Sequence, residues 1–293
     1  MLQQPSSDSC TFFMSQNTFS PAASTNINAF TTNNNTAVMN KNTASAAANN
    51  FATTIMNKNN IKDWVKSYTK DFAKRWEKHN YKWEAVQSAR KHWNVEAPHL
   101  LLCFEASAKA LDKNRRLLRP FGERMAYGML HQFITHEEAA IRNALRSLLT
   151  SNNREQVEER VADFLATAEQ IKESRRTRDL PNWRKHFQTK ATTSALLWLL
   201  HPGTFYYTEP QWTALALNEL GFIYTGNQRT LRYAEVLPCF DRVCDELNKP
   251  EYGLRDMLRQ YLVPERHDAD PELRILTNDF MEYVGREVKN RKA

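Results

Sequence analysis

The residues best suited to chemistry are a run of cations around one indole. Lys172, Arg175, Arg176, Arg178, Arg184, Lys185 and Lys190 outnumber Glu173 and Asp179, and Trp183 lies among them. Guanidinium forks fit phosphate oxygens and an indole can stack on a base, so the stretch is a candidate nucleic-acid surface. The competing reading is a solvated linker whose Trp183 anchors the following helix. The net charge of +7 points the same way, since a positive excess favours polyanionic partners.

Other constellations are thinner. The 7 glycines form neither GxxxxGK[ST] nor GxGxxG, so both nucleotide-binding fingerprints are missing and no cofactor is expected. His136-Glu137-Glu138 begins like a zinc-protease helix but lacks the second histidine, and no metal site is expected. Glu287-Val288-Lys289 has the spacing of a nuclease carboxylate and lysine, but closes an amphipathic helix where solvated charge is the plainer reading. His267-Asp268-Ala269-Asp270 reads as a turn and helix cap. The cysteines, Cys10, Cys103, Cys239 and Cys244, have no CxxC pairing and read as free thiols of a reducing, cytoplasmic setting. Arg124 and His131 loosely fit the R-x4-6-H pattern of HEPN-type ribonucleases. There the arginine would hold a phosphate and the histidine would move a proton.

The elements that must position these residues are helical. Trp64, Tyr68, Phe72 and Trp76 recur every four residues from Ile61 to about His79. Tyr81–Trp93 follows, then a helix opened by Pro98, and another from Glu123 to Phe133 after Pro120 and Gly122. Thr135 with Glu138 reads as a capping box, as does Asn153 with Gln156 ahead of Val157, Val161, Phe164, Ala168 and Ile171. Residues 174–186 read as a basic loop. Helices are expected up to Leu200, from Pro210 to a stop at Gly221, and over 231–247, 253–262 and 272–289. Phe222–Thr225 is the one short strand candidate.

The fold class is therefore all-α, about ten helices in one domain or two packed lobes, with a sub-boundary placed near 174–182. Residues 1–60 carry only Asp8, Lys41 and Lys58 as charges and are rich in Asn, Thr, Ser and Ala, so they are expected to be a disordered tail. TAVMNKN at 36–42 and TTIMNKN at 53–59 are a low-complexity near-repeat, and Met39 or Met56 are alternative starts. No secretory signal or membrane span is expected.

Four segments together resemble the N-terminal region of McrB-like restriction proteins, those with an AAA+ GTPase/ATPase module downstream. They are EKHNYKWEAVQSARKHWNVEA at 77–97, the stretch 140–171, the stretch 186–222 with its SALLWLLHPGTFYY core, and DADPELRILTNDFMEYV at 268–284. The resemblance implies a target-recognition module, with DNA as a partner and with motor and nuclease subunits supplied by the same system. It carries over no catalytic residue. Trp83, Trp198, Pro202, Tyr206 and Tyr207 are its recognisable positions. Trp198, Tyr206 and Tyr207, around the Pro-Gly turn, are candidates to line a pocket, against core packing. Two other readings stay open: a domain that binds only a protein partner, and a helical ribonuclease using Arg124 and His131.

Overall fold

Aromatic residues spaced for one helical face set the architecture. The computed structural model describes residues 57–112, 126–149, 151–222 and 232–291. Ten α-helices lie among them: α1 Lys58–His79, α2 Tyr81–His92, α3 Leu100–Asp112, α4 Ala126–Leu149, α5 Val157–Arg178, α6 Lys190–Leu200, α7 Pro210–Glu219, α8 Tyr233–Leu247, α9 Leu254–Arg259 and α10 Arg274–Arg291. A 3-10 turn, Pro250–Tyr252, separates α8 from α9. No strand occurs among the described residues, as an all-α chain requires. Phe222 is not in a strand, and 223–225 lie outside the described residues.

The stripe on α1 packs as its spacing dictates. Trp64, Tyr68 and Phe72 are buried, and Trp76 is half-buried. Tyr68 meets Phe72, Phe280 and Tyr283 edge-on at 5.4–5.5 Å. The first helix of the described region thus lies against the last. α10 packs most extensively on α7, and also on α8 and α1.

Several boundaries differ from the sequence reading. α1 begins inside the segment expected to be disordered, because the Asn57 side chain accepts from the Asn59 and Asn60 amides. The Asn57 amide also donates to the Leu220 carbonyl at 3.1 Å, beside Gly221. Gly221 has φ +86°, and a Cβ there would meet Asn57 N at 2.9 Å, so glycine is required twice over. The rest of the expected tail, 1–56, lies outside the described residues, as do Cys10, Pro120, Gly122 and Arg124. α3 starts at Leu100 rather than at Pro98, after a turn in which the Asn94 side chain accepts from the Glu96 amide.

The Thr135–Glu138 box does not form. The Thr135 hydroxyl donates to the His131 carbonyl and Glu138 pairs with Arg142, while two helical stretches meet at a kink at Glu137, close to the start expected from the sequence. Asn153 caps the Glu155 amide rather than Gln156, which has φ +58°. The predicted core face of α5 is otherwise as read: Val157, Val161, Phe164, Ala168 and Ile171 are all buried. Residues 174–178 are its last turn, not a loop, so no break occurs near 174 and the connection starts at Asp179. The described residues all belong to one compact unit.

α6 carries a full capping box between Thr189 and Thr192, and α7 opens with Pro210 at its first turn. Where α7 crosses α10, Gly285 touches the Trp212 backbone so closely that a Cβ would overlap its carbonyl. A helix-interior Gly→Ala change ordinarily gains about 1 kcal/mol. Here overpacking reverses the sign, and Gly285→Ala is expected to lose at least ~2 kcal/mol. Urea unfolding with an unchanged or raised midpoint would contradict this crossing.

Candidate nucleic-acid interface

The cations of 172–190 are mostly spent on intramolecular pairs. Lys172 is buried and holds Glu169 at 2.7 Å and Glu173 at 2.8 Å. Arg176 closes on Glu173 at 2.6 Å, and Lys190 on Glu158 at 3.0 Å. Arg175 reaches Asp179 at 2.5 Å and Glu137 at 2.7 Å, and also donates to the His136 carbonyl. Arg178 takes the same Glu137 at 2.5 Å. The break in α4 is thus where its carboxylate crosses to the end of α5. Of this run, only Arg184 and Lys185 stand exposed without an ion pair among the described residues. Trp183 is half-buried, with its ring edge-on to Phe133 at 5.6 Å and His136 at 5.8 Å. That is the geometry of an anchor for the connection, not of an open stacking platform.

Trp198 and Tyr206 are wholly buried and Tyr207 is half-buried, so these three belong to the core rather than to a pocket wall. Burial pushes the Tyr206 hydroxyl far above the usual phenol range. That hydroxyl donates to Asp241 at 3.3 Å and accepts from Arg274 at 2.9 Å. Asp241 also binds Arg154, whose guanidinium donates to the Thr204 carbonyl. The Pro-Gly turn itself borders a cleft of about 300 Å³, opposite Asp268–Ile275 and Arg90. Its charges face one another: Arg90 holds Asp268 at 2.7 Å, and Arg274 holds Glu272 at 3.0 Å.

His131 lies 3.0 Å from Glu105, and its proposed arginine partner is outside the described residues. Lys289 donates to Gln211 at the end of α10. Cys239 and Cys244 are buried free thiols, and burial pushes Cys239 up to about 12. Asp270 is the cap expected from the sequence. It accepts the Ile275 and Leu276 amides at 2.9 and 2.8 Å and the Trp83 indole N–H at 3.3 Å. Burial, more than these donors can offset, raises its carboxyl to about 6.

Two clusters escaped the sequence reading. In the first, Asp279 accepts from Tyr68 at 2.9 Å, from Arg75 at 2.5 and 2.9 Å, and from Lys82 at 2.6 Å. Lys82, fully buried, also bonds Glu282. Burial alone would raise both acids. Arg75 and Lys82 outweigh it, holding Asp279 well below the usual range and Glu282 at about 2. His79, Asp279 and Glu282 bring three ligand atoms within 4.8 Å of one another. The His79 imidazole is neutral, pushed down to about 3 by burial and by Lys82. The cation between the carboxylates is the Lys82 ammonium, so these residues do not fit a metal ion. The only early signal was an acid pair spaced i, i+3 on α10, which sequence alone cannot match to partners about 200 residues away.

The second cluster is on the surface. Lys62, Lys66, Lys70, Lys74 and Lys78 on α1 are all exposed, and none has an ion pair among the described residues. Each neighbouring pair in this row costs ~0.2–0.5 kcal/mol of helix stability through like-charge repulsion. Its signal in the sequence was a period of four. No helix among the described residues is long and apolar enough to cross a membrane. No family model matches the chain, and no curated protein or solved structure matches it.

Two outcomes follow from the buried acids. Asp279→Asn leaves Arg75 and Lys82 under-compensated and is expected to cost about 3–5 kcal/mol in denaturant unfolding near neutral pH. A loss below about 1 kcal/mol would refute the role given to this cluster. Asp270 titrates the other way. Between the unfolded carboxyl's range near 4 and its folded value of about 6, the folded state holds a proton that the unfolded chain has released. Stability from this group therefore falls as pH rises through that window, by up to about 3 kcal/mol. Asp270→Asn should flatten that part of the stability–pH curve. An identical slope in wild type and variant would exclude Asp270 as its source.

Proposed function

We propose that this chain is a non-catalytic recognition module of an McrB-like restriction or defence system, that it contacts nucleic acid, and that motor and nuclease activities come from other polypeptides. In this reading it works in the cytoplasm and binds no nucleotide cofactor. The observation that carries the reading is how charge is divided between interior and surface. Two acids of the folded region are each neutralised by two cations: buried Asp279 by Arg75 and Lys82, and half-buried Asp241 by Arg154 and Arg274. Exposed cations such as Arg184, Lys185 and the α1 lysines carry no such partner among the described residues. These unpaired cations are thus presented outward, where a polyanion would meet them.

A protein partner is the second reading, and it is favoured by Leu102, which is 62% exposed on α3. Fluorescence anisotropy of labelled duplex and single-stranded probes with the full chain separates the two. Phosphate contacts make log affinity fall linearly with log salt, by about 0.9 per contact on duplex. A steep negative slope is the expected result. Absence of binding at low salt, or binding indifferent to salt, would rule out the nucleic-acid reading. GTP consumption by the purified chain would rule out the motor-less one.

A further inference from the structure

We propose that the outer face of α1 is a docking surface for the phosphate backbone of a nucleic-acid duplex, with Lys66, Lys70 and Lys74 as its contacts and Lys62 and Lys78 at its edges. The inference rests on the nucleic-acid reading above and moves the contact away from 172–190, whose cations are mostly paired.

The geometry follows from the helix. Each of the first four lysines precedes an aromatic by two residues: Lys62 and Trp64, Lys66 and Tyr68, Lys70 and Phe72, Lys74 and Trp76. Two residues turn the helix by about 200°. The lysine row therefore winds in step with the aromatic row and stays opposite it along the whole helix. While Trp64 and Tyr68 are fixed against α10, the exposed ammonium groups face outward. Each step of four residues advances the row by about 40°, so Lys66, Lys70 and Lys74 share one face over roughly 12 Å of axis, the length of about three to four base pairs.

The acids nearby do not close this row. Asp71 accepts the Tyr283 hydroxyl at 2.8 Å, and Asp63 and Glu77 are exposed beside the row without bonding to it. In contrast, the acids beside Lys172 and Arg175–Arg178 bond their cations directly.

The occupant is a duplex for two reasons. Single-strand surfaces combine charge with exposed aromatic stacking platforms, and every aromatic of α1 is turned inward. A membrane-surface helix inserts an apolar face, and the described outer face of α1 offers lysine, acids, Asn59, Thr69 and Ala73.

The test replaces Lys66, Lys70 and Lys74 together by glutamine in the full chain, with Arg184→Gln/Lys185→Gln as comparison. A labelled duplex of about 20 base pairs is the probe, and phosphatidylserine vesicles are the second arm. Removing three phosphate contacts should lower the magnitude of the salt slope by about 3 and weaken binding at least about tenfold at low salt. Because repulsion within the row is relieved, the triple variant should melt no lower than wild type, which shows that its fold is intact. If wild type binds duplex and the triple variant keeps its affinity and slope, this inference falls while the broader reading stands. If Arg184→Gln/Lys185→Gln alone weakens binding, the contact is at 184–185 and the inference also falls. If wild type binds no duplex, whether or not it binds vesicles, this inference falls, and the broader reading falls with it only if the single-stranded probe is not bound either.

Discussion

One buried carboxylate holds the two ends of the folded region together. Asp279 on α10 accepts a tyrosine and an arginine from α1 and a lysine from α2, and all of these partners lie about 200 residues earlier in the chain. A lone ion at that depth would be strongly disfavoured, and so would Lys82 without it. Neither helix can lie elsewhere without stranding a charge. The aromatic contacts between Tyr68, Phe280 and Tyr283 supply the cohesion, while the ionic cluster sets the position along the helices. Asp241 plays a similar part between Arg154 and Arg274, tying the entrance of α5 to that of α10.

The same economy of charge decides what the surface can do. At the α4–α5 corner, one glutamate leaves helical geometry and receives two arginines. That arrangement fixes the corner and removes those arginines from the pool available to a ligand. On α1 the opposite holds, since its lysines form no ion pair among the described residues and stand four apart as like charges. A feature that costs stability and remains exposed is easier to understand as a surface for something else than as part of the fold.

The helices were legible in the sequence wherever an apolar stripe had a clear period. The α1 aromatics, the core face of α5 and the stops at His201 and Gly221 all sit where their spacing put them. Ends were less legible, because caps are decided by competing hydrogen bonds: Thr135 donates to the turn behind it, and Asn153 caps the wrong amide for a box. The candidate site was least legible. A run of arginines looks free in a one-dimensional string, yet Glu137 arrives from a different helix to take up two of them. Conversely, the lysines of α1 look scattered among other residues until the helix lines them up.

The pairing of α1 with α10 also has a consequence for the order of synthesis. The partners of Trp64 and Tyr68 on α10 are made roughly 200 residues after the stripe itself. At translation rates of about 5–20 residues per second, that stripe emerges about 10–40 s before Phe280 and Tyr283 exist to cover it. During that interval the nascent chain presents a bare aromatic ridge backed by a strongly cationic one. Its early life on the ribosome is thus governed by an amphipathic segment waiting for its complement.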